Sequence, residues 1–232
     1  RNFISEKNIV KILKWTGEIE RYKNVKGKWM KYFDSSLINK KKQILARVEN
    51  FYDYHRNFRN FFSKKKILDE LAKLVGGKVC LFKDKINFKY CGSKGFEAHQ
   101  DATIWKDMYG IKNFLTMTIT IDKSTLKNGC LEIVKNPKKN KLLSKWERIP
   151  KKIENKLKWL PIETNPGDII FFHDYTPHRS ADNFSNNKRR MIFLTYNKKI
   201  YGDHRLEHFA DKRRNFPPNI EREKGKKYIF HI

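Results

Sequence analysis

From Lys78 to about residue 200 the chain is a succession of short apolar runs broken by turn residues. This constrains its fold more than any other feature. The runs are Val79–Phe82, Lys85–Lys89, Phe114–Ile121, Cys130–Val134, Leu160–Glu163, Asp168–His173 and Met191–Tyr196. Between them stand Cys91-Gly92-Ser93, Lys127-Asn128-Gly129, Asn165-Pro166-Gly167 and Ser185-Asn186-Asn187, which supply turn chemistry. Short strands with such turns, and no regular helices between them, predict a mainly β fold of the sandwich or jelly-roll type. Upstream the period changes. Ile9, Val10, Ile12, Leu13 and Trp15 recur at helical spacing, as do Ile44, Val48 and Phe51 in a segment opening after Asn39. Leu68, Leu71, Leu74 and Val75 form a further stripe, stopped by Gly76-Gly77. Residues 1–77 therefore read as a helical layer and 78–200 as the β core. Residues 201–232, with Pro217-Pro218 and many charges, read as a tail over the barrel. The Lys-rich stretch 135–158 reads as a surface excursion with a short helix. All of this is expected within a single domain.

Composition narrows the function classes. Hydrophobic residues make up 39% and aromatics 14% of the 232 residues, enough for a core and too much for wholesale disorder. No apolar run is long enough to span a membrane, and no secretory pattern is visible. Cys80, Cys91 and Cys130 are scattered and contain no CxxC pair. They predict neither a zinc ribbon nor a disulfide framework, but reduced thiols in a cytoplasmic chain. The net charge is +27, from 52 Lys+Arg against 25 Asp+Glu. The basic residues are mostly Lys, spread from end to end. They read as a solvated surface rather than a nucleic-acid face, and they suit a small anionic partner. Oligomeric state is left open.

His99-Gln100-Asp101 carries the strongest local chemistry. In extended backbone, residues i and i+2 face the same side, so an imidazole and a carboxylate can take adjacent positions on one metal. His178, just beyond the apolar run Ile169-Ile170-Phe171-Phe172, is placed to supply a third ligand; His173, five residues earlier, is its rival. Two His and one carboxylate on one face of a cation is the arrangement of non-haem Fe(II) oxygenases, although an HxD pair alone is a weak signal. Arg189 and Arg190 follow His178 by 11 and 12 residues. An Arg there can hold a dicarboxylate in a bidentate fork, or Lys188-Arg189-Arg190 is a plain basic turn. Lys83, Lys85, Asn87 and Lys89 share one face of an extended segment, and Ile86 and Phe88 the other. Which face points inward is open at this stage.

Together these residues resemble the phytanoyl-CoA dioxygenase family of Fe(II)/2-oxoglutarate oxygenases. The resemblance rests on His99-Gln100-Asp101, Asn128-Gly129-Cys130-Leu131, Pro166-Gly167-Asp168-Ile169-Ile170-Phe171-Phe172-His173, and His178-Arg179-Ser180 followed by Arg189. It covers residues 78–200 with order and spacing kept. Lys28-Trp29-Met30-Lys31-Tyr32-Phe33, the Leu81–Lys89 segment, Gly202-Asp203-His204-Arg205, and Asp211-Lys212-Arg213 with Phe216-Pro217-Pro218 are similar to the organophosphonate branch, which contains 2-aminoethylphosphonate dioxygenase. Ile86-Asn87-Phe88-Lys89 resembles ectoine hydroxylase.

The resemblance implies a double-stranded β-helix. It also implies Fe(II) on His99, Asp101 and His178, with 2-oxoglutarate and O2 as co-substrates. Arg189 would pair with the distal carboxylate of 2-oxoglutarate, with Lys89, Thr118 and Ser180 nearby and Arg190 as a fallback. Lys83, Lys85, Asn87 and Trp105 become substrate candidates, core packing being the plainer role for Trp105 and Tyr109. The presence of Asp101 favours hydroxylation over halogenation. The implied substrate is a small anionic or zwitterionic organophosphonate, such as 2-aminoethylphosphonate or an N-methylated relative, hydroxylated at the carbon next to phosphorus. Another small zwitterion or an acyl substrate is the alternative. A non-enzymatic polyanion-binding protein on the same fold is the reading of a different class. His204 and His208 read as tail structure, with a pocket lid as the alternative, and His55 and His231 as structural or solvated.

Overall fold

The structure, a computed structural model, describes residues 3–135, 137, 141–144 and 148–228, apart from the side chains of 103, 104 and 106. Among these, ten strands form two antiparallel sheets. The major sheet has, in order, β1 (Met30–Ser35), β2 (Gln43–Glu49), β3 (Val79–Lys89), β10 (Arg189–Lys198), β5 (Phe114–Thr120) and β8 (Ile169–His173). The minor sheet has β4 (Phe96–His99), β9 (His178–Ser180), β6 (Leu131–Val134) and β7 (Trp159–Ile162). Helices α1 (Glu6–Glu20), α2 (Arg56–Phe62), α3 (Lys65–Val75), α4 (Ala102–Tyr109), α5 (Lys151–Glu154) and α6 (Arg205–Asn215) complete the element set. None of the described helices is long and apolar enough to cross a membrane.

The helices form for local reasons. Ile12, Thr16 and Ile19 put one buried stripe on α1, whose first turn carries Glu6 where the helix dipole favours a negative charge. His55 caps α2: its Nδ1 accepts from the Phe58 N–H at 3.1 Å, while Nε2 meets Glu18 at 2.9 Å. α3 ends where Gly76 takes a left-handed conformation and the Gly77 N–H donates to the Ala72 carbonyl.

The largest core cluster joins α1–α3 to one face of the major sheet. Ile12, Ile19, Phe58, Phe62 and Leu71 pack with Val48, Ile86, Phe88, Leu115, Ile119, Ile192 and Leu194. Each such side chain contributes about 1.5–3 kcal/mol by leaving water. The burial of Ile86 and Phe88 under the helices settles the open question of the Lys face. By strand alternation Lys83, Lys85, Asn87 and Lys89 look the other way, into the barrel.

Four sequence expectations change. Residues 39–51 are not helical but contain β2, and β1 precedes it, so the first 77 residues supply two strands of the major sheet as well as helices. Ile44 and Val48 are four apart, and that spacing puts two residues on one side of a helix and of a strand alike. Val79–Phe82 and Lys85–Lys89 are one continuous strand, and β4, β9 and α4 are additional. The expected tail carries α6, held to β3 by the ion pair of Arg205 with Asp84 and to β2 by that of Lys212 with Glu49, both at 2.5 Å. The short helix of the Lys-rich excursion is α5; residues 136, 138–140 and 145–147 of that stretch lie outside the described residues, as does His231.

Candidate metal centre and active site

β4 ends on His99 and β9 begins on His178, and the register sets the two opposite each other. Gly95 permits this approach, since a Cβ there would sit 2.1 Å from the Ser180 carbonyl oxygen. The two imidazole centroids lie 4.1 Å apart. Asp101 follows β4 at the entrance to α4, where the Ala102 N–H bonds to the Asp174 carbonyl at 3.0 Å. His99 Nε2 and Asp101 Oδ1 are 4.0 Å apart, and the three candidate ligand atoms all fall within 4.8 Å of one another. Donors sharing a cation at about 2 Å each stand roughly 3–4 Å apart, so the set fits a first-row metal ion.

The tautomers fit too. His99 Nδ1 faces the Glu97 carbonyl at 2.7 Å, and His178 Nδ1 faces the Thr176 carbonyl at 3.0 Å. A carbonyl only accepts, so each Nδ1 carries the proton and each Nε2 lone pair is left for a metal. Burial, and for His99 the neighbouring His178, pushes both imidazoles below their usual range and keeps them neutral. Burial alone would raise Asp101; His178, His99, Lys83 and Lys85 overcome it and hold the carboxylate ionised. Neutral imidazoles and an ionised carboxylate are the protonation states a divalent metal requires.

Deeper along the same face of the major sheet, Arg189 and Lys89 stand opposite each other in register. Arg189 is only 2% exposed, yet among the described residues its Nε has no hydrogen-bond partner and its Nη1 meets only the Met191 sulfur at 3.8 Å. Burial lowers its pKa to about 10. A buried guanidinium without a carboxylate is costly, and the pocket is therefore preset for an anion. Lys89 is held by the Ser180 hydroxyl at 2.9 Å and by the Gly129 and Ala181 carbonyls at 3.3 and 2.5 Å. Burial, then Arg189, pushes it down to about 6. Gly129 is required here: its φ is +71°, and a Cβ would stand 2.2 Å from the Ala181 oxygen. Thr118 is buried on the inner face, its hydroxyl donating to the Ile170 carbonyl at 3.3 Å. Asn87, also buried, has an Oδ1 without a partner.

Toward the open end, Lys83, Lys85, Asp101, Trp105, Thr116, His178, Phe193 and Thr195 line a narrow cleft. The Lys83 ammonium rests 5.0 Å from the Trp105 ring, and that of Lys85 lies 4.7 and 5.3 Å from Phe193 and Phe96. Burial and the neighbouring Lys83 bring Lys85 down to about 8.

The expected site residues therefore converge, with three revisions. His173, the rival ligand, is exposed at the end of β8. Arg190 is committed to Asp122 at 2.8 and 2.9 Å and to Glu20 at 3.2 Å, so it is no substitute for Arg189. His208, assigned to the tail, is buried against Phe82 and Trp105, next to the cavity wall. Phe193 and Thr195 were missed, although stepping by two from Arg189 along its strand reaches both.

Known proteins agree with this geometry. The family model described as phytanoyl-CoA dioxygenase matches residues 1–191. The chain is 41% identical over 230 residues to 2-aminoethylphosphonate dioxygenase of an uncultured bacterium, covering 98% of this chain and 87% of that protein. It is 36% identical over 216 residues to methylphosphonate hydroxylase of Gimesia maris, covering 92% and 81%. Among solved structures, EctD from S. alaskensis with 2-oxoglutarate and 5-hydroxyectoine superposes with a TM-score of 0.70 at 15% identity, covering 86% of this chain and 71% of that one. The fold is thus the double-stranded β-helix of the iron/2-oxoglutarate oxygenases. This chain belongs to the phytanoyl-CoA dioxygenase family and is an Fe(II)- and 2-oxoglutarate-dependent dioxygenase, with His99, Asp101 and His178 as its candidate metal site.

Proposed function

We propose that the enzyme hydroxylates a small organophosphonate at the carbon next to phosphorus. The carrying observation is the pair of inward ammonium groups on Lys83 and Lys85, beside Asp101 and His178. Among the described residues neither is within ion-pair distance of a carboxylate. Two half-buried cations with only aromatic faces for company suit a phosphonate dianion, which also matches the names of the two relatives. Overall, a substrate C–H, 2-oxoglutarate and O2 give a C–OH, succinate and CO2.

Iron held by His99, Asp101 and His178 would supply the oxygen activation and hydrogen abstraction. The protein's own residues do the rest. Arg189 forks the distal carboxylate of 2-oxoglutarate, and Lys89, steadied by Ser180 and Gly129, offers an N–H donor beside it. Thr118 and Asn87 border that end on the same inner face. Lys83 and Lys85 draw the phosphonate oxygens, which turns the adjacent carbon toward the triad. Trp105 and Phe193 wall the cavity and limit the water around the reacting carbon.

The cavity lining favours a particular subset of phosphonates. Asp101 is the only carboxylate among its described lining residues, and it is a metal ligand. A substrate ammonium would therefore lack a dedicated partner. Incubating the iron- and 2-oxoglutarate-loaded enzyme with methylphosphonate, 2-aminoethylphosphonate, its N-methylated forms, ectoine-like zwitterions and acyl-CoA esters tests this. Succinate above the substrate-free background should appear with phosphonates alone. Turnover confined to non-phosphonates would overturn the reading.

A further inference from the structure

Lys85 should not be free. β2 and β3 pair with Glu49 directly opposite Lys85, and by strand alternation both side chains share the inner face. A carboxylate and an ammonium at that spacing ordinarily make a cross-strand ion pair. Glu49 is fully buried, which strengthens its pull. Yet its oxygens are occupied from other directions. Arg47 Nε reaches Oε1 at 2.9 Å, and Lys212 Nζ reaches Oε2 at 2.5 Å. Arg47 is in turn fixed over the Tyr32 ring at 4.2 Å. Lys212 comes from α6, which lies beyond the residues matched by the family model.

We infer that Lys212 is a positioning residue for substrate binding: by occupying Glu49 it keeps Lys85 and Lys83 unpaired and available to the substrate's anionic group. The inference rests on the phosphonate reading of that cavity. Its physical content is a competition among four cations, Lys212, Lys83, Arg47 and Lys85, for one buried carboxylate. Remove Lys212 and Glu49 is left to draw on Lys85, opposite it in register, and on Lys83, because a buried carboxylate with one partner too few is costly. The anion-binding pair is then neutralised from within. α6 is held to the barrel by further contacts, Arg205 to Asp84 at 2.5 Å and Asp211 to the Tyr109 hydroxyl at 2.9 Å, so it has anchors that do not involve Lys212.

The test is an anaerobic titration of the full chain, loaded with Fe(II) and 2-oxoglutarate, with methylphosphonate and with 2-aminoethylphosphonate. The wild type is compared with Lys212→Met, Lys212→Arg and the double variant Glu49→Gln/Lys212→Met. The expected result is a Kd about tenfold or more weaker in Lys212→Met, near wild type in Lys212→Arg, and recovered to within a few-fold in the double variant. Recovery separates the inference from a merely structural role, because the double variant also lacks the clamp. An unchanged Kd in Lys212→Met, or a double variant as weak as the single one, overturns it. If the wild type binds neither phosphonate, the phosphonate reading itself fails, and the two failures are told apart by that arm.

Discussion

Two adjacent arginines separate function from architecture at the scale of the residue. Arg189 is buried with an unsatisfied Nε, whereas Arg190 is spent on Asp122 and Glu20. Arg189→Met should raise the KM for 2-oxoglutarate about 100-fold, on the order of 3 kcal/mol for a lost charge-assisted fork. Arg190→Met should leave that KM nearly unchanged but lower the thermal midpoint by roughly 5–10 °C, since it strips a nearly buried ion pair. Steady-state kinetics and a melting curve on both variants check the split. Lys85 gives a pH dependence. Burial favours its neutral form and brings its pKa to about 8, so the ammonium is present below that pH and lost above it. Substrate KM should therefore climb as pH rises through about 8. Lys85→Arg, whose charge persists, should move that rise to higher pH. A KM flat to pH 10 in the wild type would remove Lys85 from the site. Sequence made His99, Asp101, His178 and Arg189 legible because their chemistry is tied to spacing. It could not reveal that Arg189 rather than Arg190 is unpaired, since that depends on Asp122 and Glu20 arriving from distant segments.

The strand is the unit that builds the site. β3 carries Lys83, Lys85, Asn87 and Lys89 on one face, and β10 carries Arg189, Met191, Phe193 and Thr195 opposite. One pair of antiparallel neighbours thus delivers a row of basic side chains along the inner face, from the proposed substrate end to the proposed 2-oxoglutarate end. The turn before β6 closes the latter. Gly129 lies in the left-handed region and touches both Ala181 and Lys89. Gly129→Ala should destabilise the fold by about 2 kcal/mol or more and weaken 2-oxoglutarate binding, because the carbonyl that steadies Lys89 has to shift. Calorimetric melting and a 2-oxoglutarate titration measure both effects; a variant neutral in each would contradict this role. The β core was readable because turn residues bracket its runs. β2 was not, since Ile44 and Val48 satisfy both periods. β4 and β9 were not, because four and three residues carry too little pattern. α6 was hidden by its composition, being mostly charged, with the burial of Arg205, His208 and Phe209 set by tertiary contacts.

Across the whole molecule, two sheets and a helical layer divide the labour. The helices seal the outer face of the major sheet with hydrocarbon, and the minor sheet closes over the inner face with the metal ligands. The family match, the relatives named for phosphonate oxidation and the +27 charge fall into one account: a cationic barrel interior reached through a cationic surface. Most of that charge is solvated Lys. The fraction proposed to be functional is the short row on β3 with Arg189, which total charge alone could not single out. The non-enzymatic polyanion reading yields to a triad of ligating side chains in a family of dioxygenases. The most direct test of the central claim is a single-turnover measurement with Fe(II), 2-oxoglutarate, O2 and methylphosphonate or 2-aminoethylphosphonate, on the wild type and on Asp101→Ala. The account predicts succinate and hydroxylated phosphonate in equal amounts from the wild type, and neither above background from Asp101→Ala. Succinate output from Asp101→Ala equal to the wild type's would contradict it.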